Sequence, residues 1–377
     1  MSQRLLDLSA VQGQSPWIDN LKRGFLGADG GLAQLVARGV RGVTSNPTIF
    51  QKAIAGSTDY DEQYLQLIGA GSSTEDAYWT MVCQDVADAC DLLAPVHNES
   101  EGVDGYVSVE VSPLLAADAS GTASAARELH RRINKANLMV KIPATRPGVD
   151  AIEEMIAEGR SINVTLIFSL ERYAAVTEAY IHGLERLLDS GVTDLSGVAS
   201  VASFFISRVD TETDRRLAAV GTDAALKLQG KAAVAQGVLA YHLFTERFSG
   251  PRWARLAGHG ARVQRPLWAS TSTKNPSLPA TLYVDSLIGP DTVNTLPDAT
   301  LEAFAEHGTV TRTVDTVQSI VDAASVMTGL QSVGVDLGDV AETLEHEGVA
   351  SFAKSFDELM STLQSRGTSL KEAKEQS

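Results

Sequence analysis

Short apolar or alternating runs recur along the chain, and between them lie longer stretches in which apolar residues return every three or four positions. The short runs predict strands over 17–21, 42–45, 105–111, 138–144, 162–168, 198–205, 266–271 and 282–287. The longer stretches predict amphipathic helices over 31–38, 75–93, 124–134, 148–158 and 170–190. Gly159 follows Glu158 as a C-terminal stop, and Ser169 precedes Leu170 as an N-cap. Alternation of strand and helix argues for a parallel sheet. About eight mostly apolar strands favour a closed (β/α)8 TIM barrel over an open sheet. No G-x-G-x-x-G stands at a strand–helix junction, which argues against a dinucleotide fold.

After the sixth strand the spacing stretches. Segments 210–220 and 224–248 read as helices, followed by a polar segment around 251–260. Beyond the eighth strand, 314–327 and 340–365 have helical character. The expectation is a single barrel domain over 1–377, with helical decorations at about 210–262 and 298–366 and a frayed polar tail at 367–377.

A chain of 377 residues with 44% apolar residues can bury the core such a barrel needs. Its net charge of −16 argues against general affinity for nucleic acid or an anionic membrane, so an anionic substrate requires a local Arg or Lys cluster. Cys83 and Cys90 have helix spacing, neither a C-x-x-C motif nor a disulfide framework, and are expected as core filler. The first residues lack a signal-peptide apolar stretch, and no run approaches the roughly 18 apolar residues of a membrane span. A cytoplasmic protein is expected. Whether it is a monomer or a homodimer is not legible.

The chemistry concentrates on Lys141, which interrupts the apolar run LMVKIPA at 138–144. A buried ammonium is costly unless paired or neutral, and a neutral amine can form a Schiff base with a carbonyl substrate. A lysine snorkelling from a strand end is the plainer alternative. In a (β/α)8 barrel, catalytic side chains project from the C-terminal ends of the strands. Polar residues fall there on other strands too: Asp19 on the first, Ser45 and Asn46 on the second and Glu110 on the third. Asn163 and Thr165 share one side of the fifth, Ser203 lies near the end of the sixth with Arg208 after it, and Ser270, Ser272 and Lys274 cluster after the seventh. Each has a simpler explanation: Asp19 as a helix N-cap, Asn46-Pro47 as a turn, Glu110 as a structural partner of Lys141, Asn163 and Thr165 satisfying each other, Arg208 pairing with Asp210 or Glu212. What counts is that a lysine, two carboxylates and several small polar groups converge on one end of one barrel.

At this point a family resemblance becomes specific. GVTSNPTIF at 42–50 resembles the transaldolase signature at the second strand, and LMVKIPAT at 138–145 resembles that family's active-site lysine segment. NVTLIFS at 163–169 and SFFISR at 203–208 are similar to its fifth- and sixth-strand motifs. The matches run in order from about Asp19 to Asp285, and the long insertion resembles the longer, actinobacterial-type members. The resemblance implies transfer of a dihydroxyacetone unit from sedoheptulose 7-phosphate to glyceraldehyde 3-phosphate, in the non-oxidative pentose phosphate route, with no metal or organic cofactor. It implies Lys141 as the imine-forming nucleophile and Asp19 as the acid/base at the cleaved carbon. Glu110 would act with Thr165 through a bound water in carbinolamine formation and dehydration. Asn46, Asn163 and Ser203 would hold the dihydroxyacetone hydroxyls, and Ser45 would also line the substrate site. Arg208 would hold the phosphate, with Ser272 and Lys274 at a second phosphate position where better-known relatives often carry arginine. Phe205 stands where relatives that act mainly as aldolases tend to carry tyrosine, which favours transfer. The competing readings are a Schiff-base sugar-phosphate aldolase without acceptor transfer, and a sugar-phosphate-binding barrel that has lost catalysis.

Overall fold

Eight parallel strands close into a barrel in strict chain order. They are β1 (Gln14–Ile18), β2 (Gly42–Thr44), β3 (Val107–Glu110), β4 (Leu138–Pro143), β5 (Ile162–Ile167), β6 (Ser200–Phe205), β7 (Arg265–Ala269) and β8 (Thr292–Leu296). The computed structural model describes residues 3–27 and 30–375. Helices surround the barrel, as the expected (β/α)8 architecture requires. Val43, Val109, Val140, Ile142, Val164, Phe204 and Trp268 are all buried, so the barrel wall contributes to one continuous apolar core with the helices. Trp17 is fully buried as well, and a Cβ on Gly42 would come within 2.5 Å of its ring, so only glycine fits opposite it.

Two strand expectations change. The first strand begins three residues earlier than expected and ends at Ile18, which leaves Asp19 just beyond it. The eighth strand is not 282–287: Leu282–Asp285 is a short helix, and the strand is Thr292–Leu296. In the short helix Tyr283 and Val284 are buried, and Leu287 and Ile288 just after it are buried too, a spacing that suits a helical turn as well as a strand. The true strand looks polar because Thr292 and Asn294 hydrogen-bond neighbouring segments, Thr292 to Gly289 and Gln14, Asn294 to Thr271.

The helical additions also sharpen. After β6 come Ser207–Val220, Asp223–Leu226, Ala232–Arg247 and Gly250–Ala257. The single helix expected over 224–248 is therefore divided, with Gly230 at positive φ in the break, and the polar segment near 251–260 is largely helical. Ser169 caps its helix by accepting from the Arg172 N–H, and Gly159 ends the preceding helix at positive φ. The last helix, Leu337–Glu375, does not stop near 366: residues 367–375 of the expected frayed tail continue it, while 376–377 lie outside the described residues. Arg366 holds this end by an ion pair of 2.6 Å to Asp61 and a hydrogen bond of 2.6 Å to the Ile54 carbonyl. Among the described residues no helix is long and apolar enough to cross a membrane.

The N-terminal end of the barrel is closed by a charge. Arg265, 8% exposed, pairs with Asp104 at 3.0 Å and donates to the Ser15 hydroxyl at 2.6 Å and the Thr292 carbonyl at 2.7 Å, tying β7 to β1 and β8. Removing one partner of such a buried pair strands the other charge. Arg265→Ala should lower unfolding stability by about 3 kcal/mol in urea titration while leaving kcat of the correctly folded enzyme unchanged, because this end faces away from the polar cluster at the other mouth.

Candidate active site

Strand register builds the site. Glu110, Lys141 and Asn163 are successive Cα partners on β3, β4 and β5, so one rung carries all three. Asn163 Nδ2 donates to the Ser108 hydroxyl at 2.9 Å, across the intervening β4, which fixes this face as the barrel interior. On the other side the Ser203 hydroxyl donates to Asn163 Oδ1 at 2.7 Å. Asn163 and Thr165 thus do not satisfy each other. Among the described residues Thr165 Oγ1 is buried without a hydrogen-bond partner. Leaving a buried polar atom unpaired costs about 1–3 kcal/mol.

Lys141 is only 5% exposed. Its Nζ lies 3.5 Å from Glu110 Oε2 and donates to the Ser45 carbonyl at 3.3 Å. Ser45 therefore meets the lysine through its backbone, since its hydroxyl is committed to the Ser108 carbonyl at 2.6 Å. Asn46 caps the helix Pro47–Ala55, its Oδ1 accepting from the Ile49 N–H at 3.0 Å. Asp19 caps no helix. Half-buried at the mouth, it accepts at 2.8 Å from Thr44, whose hydroxyl also meets that of Thr295 at 2.6 Å.

Burial raises both carboxylates. Glu110 is pushed up to about 7 by desolvation, against the pull of the neighbouring Lys141 charge. Asp19 is raised for the same reason, against Lys141, the Thr44 hydrogen bond and Arg208. Arg208, second residue of the helix Ser207–Val220, has its guanidinium 5.3 Å from the centroid of the Phe205 ring. Phe205 in turn packs on Phe168, with centroids 5.1 Å apart. Burial lowers the Arg208 pKa, while Glu110, Glu347 and Asp19 oppose that shift. The alternative partners of Arg208 are engaged elsewhere: Asp210 accepts from Tyr283 and the Ala233 N–H, and Glu212 binds Arg215 and Arg216. Ser272 and Lys274 bond each other at 2.7 Å in the loop after β7, Lys274 in solvent, and neither makes a hydrogen bond or ion pair with Lys141, Glu110, Asp19 or Arg208.

Thr44 and Ser108 escaped the sequence reading. Period-two alternation offered the signal, since Ser108 stands two residues before Glu110 and shares its face. Thr44 had no such signal, because its partner Asp19 comes from another strand.

A closed (β/α)8 barrel holding a buried lysine against a carboxylate, at the ends of the strands where barrel enzymes carry their chemistry, has the form of an enzyme that works on carbonyl groups. Residues 16–363 match the family described as transaldolase/fructose-6-phosphate aldolase, and the chain belongs to that family. It is 52% identical to the transaldolase of Parafrankia sp. over 96% of this chain and 98% of that one. It is also 52% identical to the transaldolase of Thermobifida fusca, over 92% and 94% of the two chains. The transaldolase of Mycolicibacterium smegmatis is 48% identical over 96% of each.

The Glu110 shift has a measurable consequence. A carboxyl whose folded pKa is raised contributes stability that is full below its unfolded value and is lost as pH rises through the folded value. For Glu110 that window runs from the ordinary 4.5 to about 7. Glu110→Gln should therefore match the parent at low pH and become progressively the more stable of the two as pH rises through the window, read from urea midpoints at several pH values.

Proposed function

We propose that this chain is a transaldolase, acting as one barrel domain in the cytoplasm and moving a dihydroxyacetone unit from sedoheptulose 7-phosphate to glyceraldehyde 3-phosphate. The observation that carries the reading is Lys141, buried with its Nζ 3.5 Å from Glu110 Oε2. The lysine amine attacks the ketone carbonyl of the donor and forms a carbinolamine. Glu110 and Thr165, through a shared water, relay protons as that adduct loses water to the imine. A Thr165 hydroxyl without a hydrogen-bond partner among the described residues and a Glu110 carboxylate beside the amine suit this role. Asp19 then takes the proton from the hydroxyl of the carbon being cleaved. The carbon–carbon bond breaks, its electrons pass into the protonated imine, and an aldose phosphate leaves. The enamine that remains attacks the acceptor aldehyde, Asp19 returns the proton to the new hydroxyl, and hydrolysis frees Lys141. No metal or organic cofactor is needed, because the protonated imine is the electron sink.

The Ser108–Asn163–Ser203 chain suits the retention of the enamine between the two halves of the reaction, since its members hold one another in place. Arg208 binds the substrate phosphate with a planar, permanently charged donor array. Ser272 and Lys274 are proposed for a second phosphate, Asn46 for a substrate hydroxyl through its remaining amide, and Ser45 for shaping that wall. Phe205 carries no hydroxyl and packs against Phe168, which favours transfer over the simple aldolase reaction that the family description also covers.

Borohydride added during turnover of fructose 6-phosphate should fix the three-carbon unit on Lys141, read by peptide mass mapping. Lys141→Ala should keep its fold and lose both adduct and turnover; an adduct on any other lysine would sink the assignment. Arg208→Ala should raise KM for phosphorylated sugars by about ten- to a hundredfold with a smaller change in kcat, because it removes binding common to ground and transition states. Release of glyceraldehyde 3-phosphate from fructose 6-phosphate should depend on added erythrose 4-phosphate, and acceptor-independent release would mark an aldolase instead.

A further inference from the structure

The C-terminal helix crosses the mouth of the barrel, and one glycine marks where it comes closest. An added Cβ on Gly348 would lie 3.0 Å from Leu166 Cδ2 and 3.6 Å from Arg208 Nη1. Glycine in a helix interior costs about 1 kcal/mol relative to alanine, so its presence calls for a local reason. The neighbour supplies half of it. Leu166 has φ of 58°, a conformation a branched side chain rarely adopts, and the β5–β6 register shifts between Val164 and Ile167. This bulge sets the Leu166 side chain, 1% exposed, against Gly348.

The helix has little freedom to retreat. Arg172 donates to the Ala144 carbonyl at 2.8 Å and pairs with Glu345 at 3.4 Å. Arg216 binds Asp339 and donates to the Thr343 hydroxyl at 3.1 Å. The hydroxyls of Thr48 and Ser355 meet at 2.8 Å. These contacts lie on both sides of Gly348 and tie the helix to segments following β2, β5 and β6. Close approach at position 348 is therefore built in, and the atom nearest an added Cβ, after the leucine, is a guanidinium nitrogen with no hydrogen bond or ion pair among the described residues.

We infer that Gly348 is a positioning residue for phosphate recognition: the C-terminal helix forms one wall of the space in front of Arg208, and the missing side chain keeps that space open to a phosphate. The inference rests on the proposed role of Arg208 and adds to it a determinant on a distant element. Its test separates phosphate binding from imine chemistry. Gly348→Leu raises KM for fructose 6-phosphate by about tenfold with kcat within about twofold. The rate at which borohydride traps unphosphorylated dihydroxyacetone on Lys141 stays at the parent value, since no phosphate is involved. An unchanged KM for fructose 6-phosphate overturns the inference. So does an equal loss with both ketones, which marks general packing damage. If the parent enzyme traps neither ketone, the proposed function fails first and takes this inference with it. Should the leucine variant not fold, Gly348→Ala, which gains helix propensity and adds a single methyl in the same place, carries the same comparison with a KM rise of about two- to threefold.

Discussion

An amine held inside a barrel must have something to answer its charge, and much of the upper interior follows from that need. Lys141 has Glu110 on the adjacent strand of the same rung and the Ser45 carbonyl just after β2. Three strands are thereby committed to one nitrogen. The carboxylate is itself desolvated, and its affinity for a proton rises to about 7, so the group beside the amine exchanges protons close to neutrality. Charge compensation and proton relay are thus two aspects of one pairing.

Around that pair the interior is divided by end. The N-terminal mouth is closed by Arg265, Asp104 and Ser15, which tie β7 to β1 and to the segment before β3. Toward the C-terminal mouth, Ser108, Asn163 and Ser203 form a linked chain, while Thr165 Oγ1 has no hydrogen-bond partner among the described residues. The last helix extends this division outward. It passes over the mouth at Gly348 and is pinned on both sides by Arg172, Arg216 and Thr48.

The barrel was legible where strands alternate sharply with flanking helices, as in β4 and β5, whose bounds fall close to the expected ones. It was not legible at β8, where the Thr292 hydroxyl and the Asn294 carbonyl oxygen accept from Gln14 and Thr271, partners far away in sequence. Lys141, Glu110, Asn163, Thr165 and Ser203 stood out as polar positions within apolar runs, a signal that needs only local context. Thr44 did not, because its significance is its bond to Asp19. Ser45 was singled out, yet it reaches the lysine through its carbonyl, an atom every residue shares.

Periodicity and residue type, which are properties of neighbours in the chain, determined the alternation of strand and helix, the closed-barrel class, and the candidacy of a lysine and two carboxylates at one end. Register, hydrogen-bond partners and the course of the last helix were decided only in three dimensions. Those depend on segments brought together across long stretches of sequence: Glu110 beside Lys141, Thr44 on Asp19, and Gly348 over Arg208. A local pattern states which side chains face inward. Only closure of the barrel determines which of them meet.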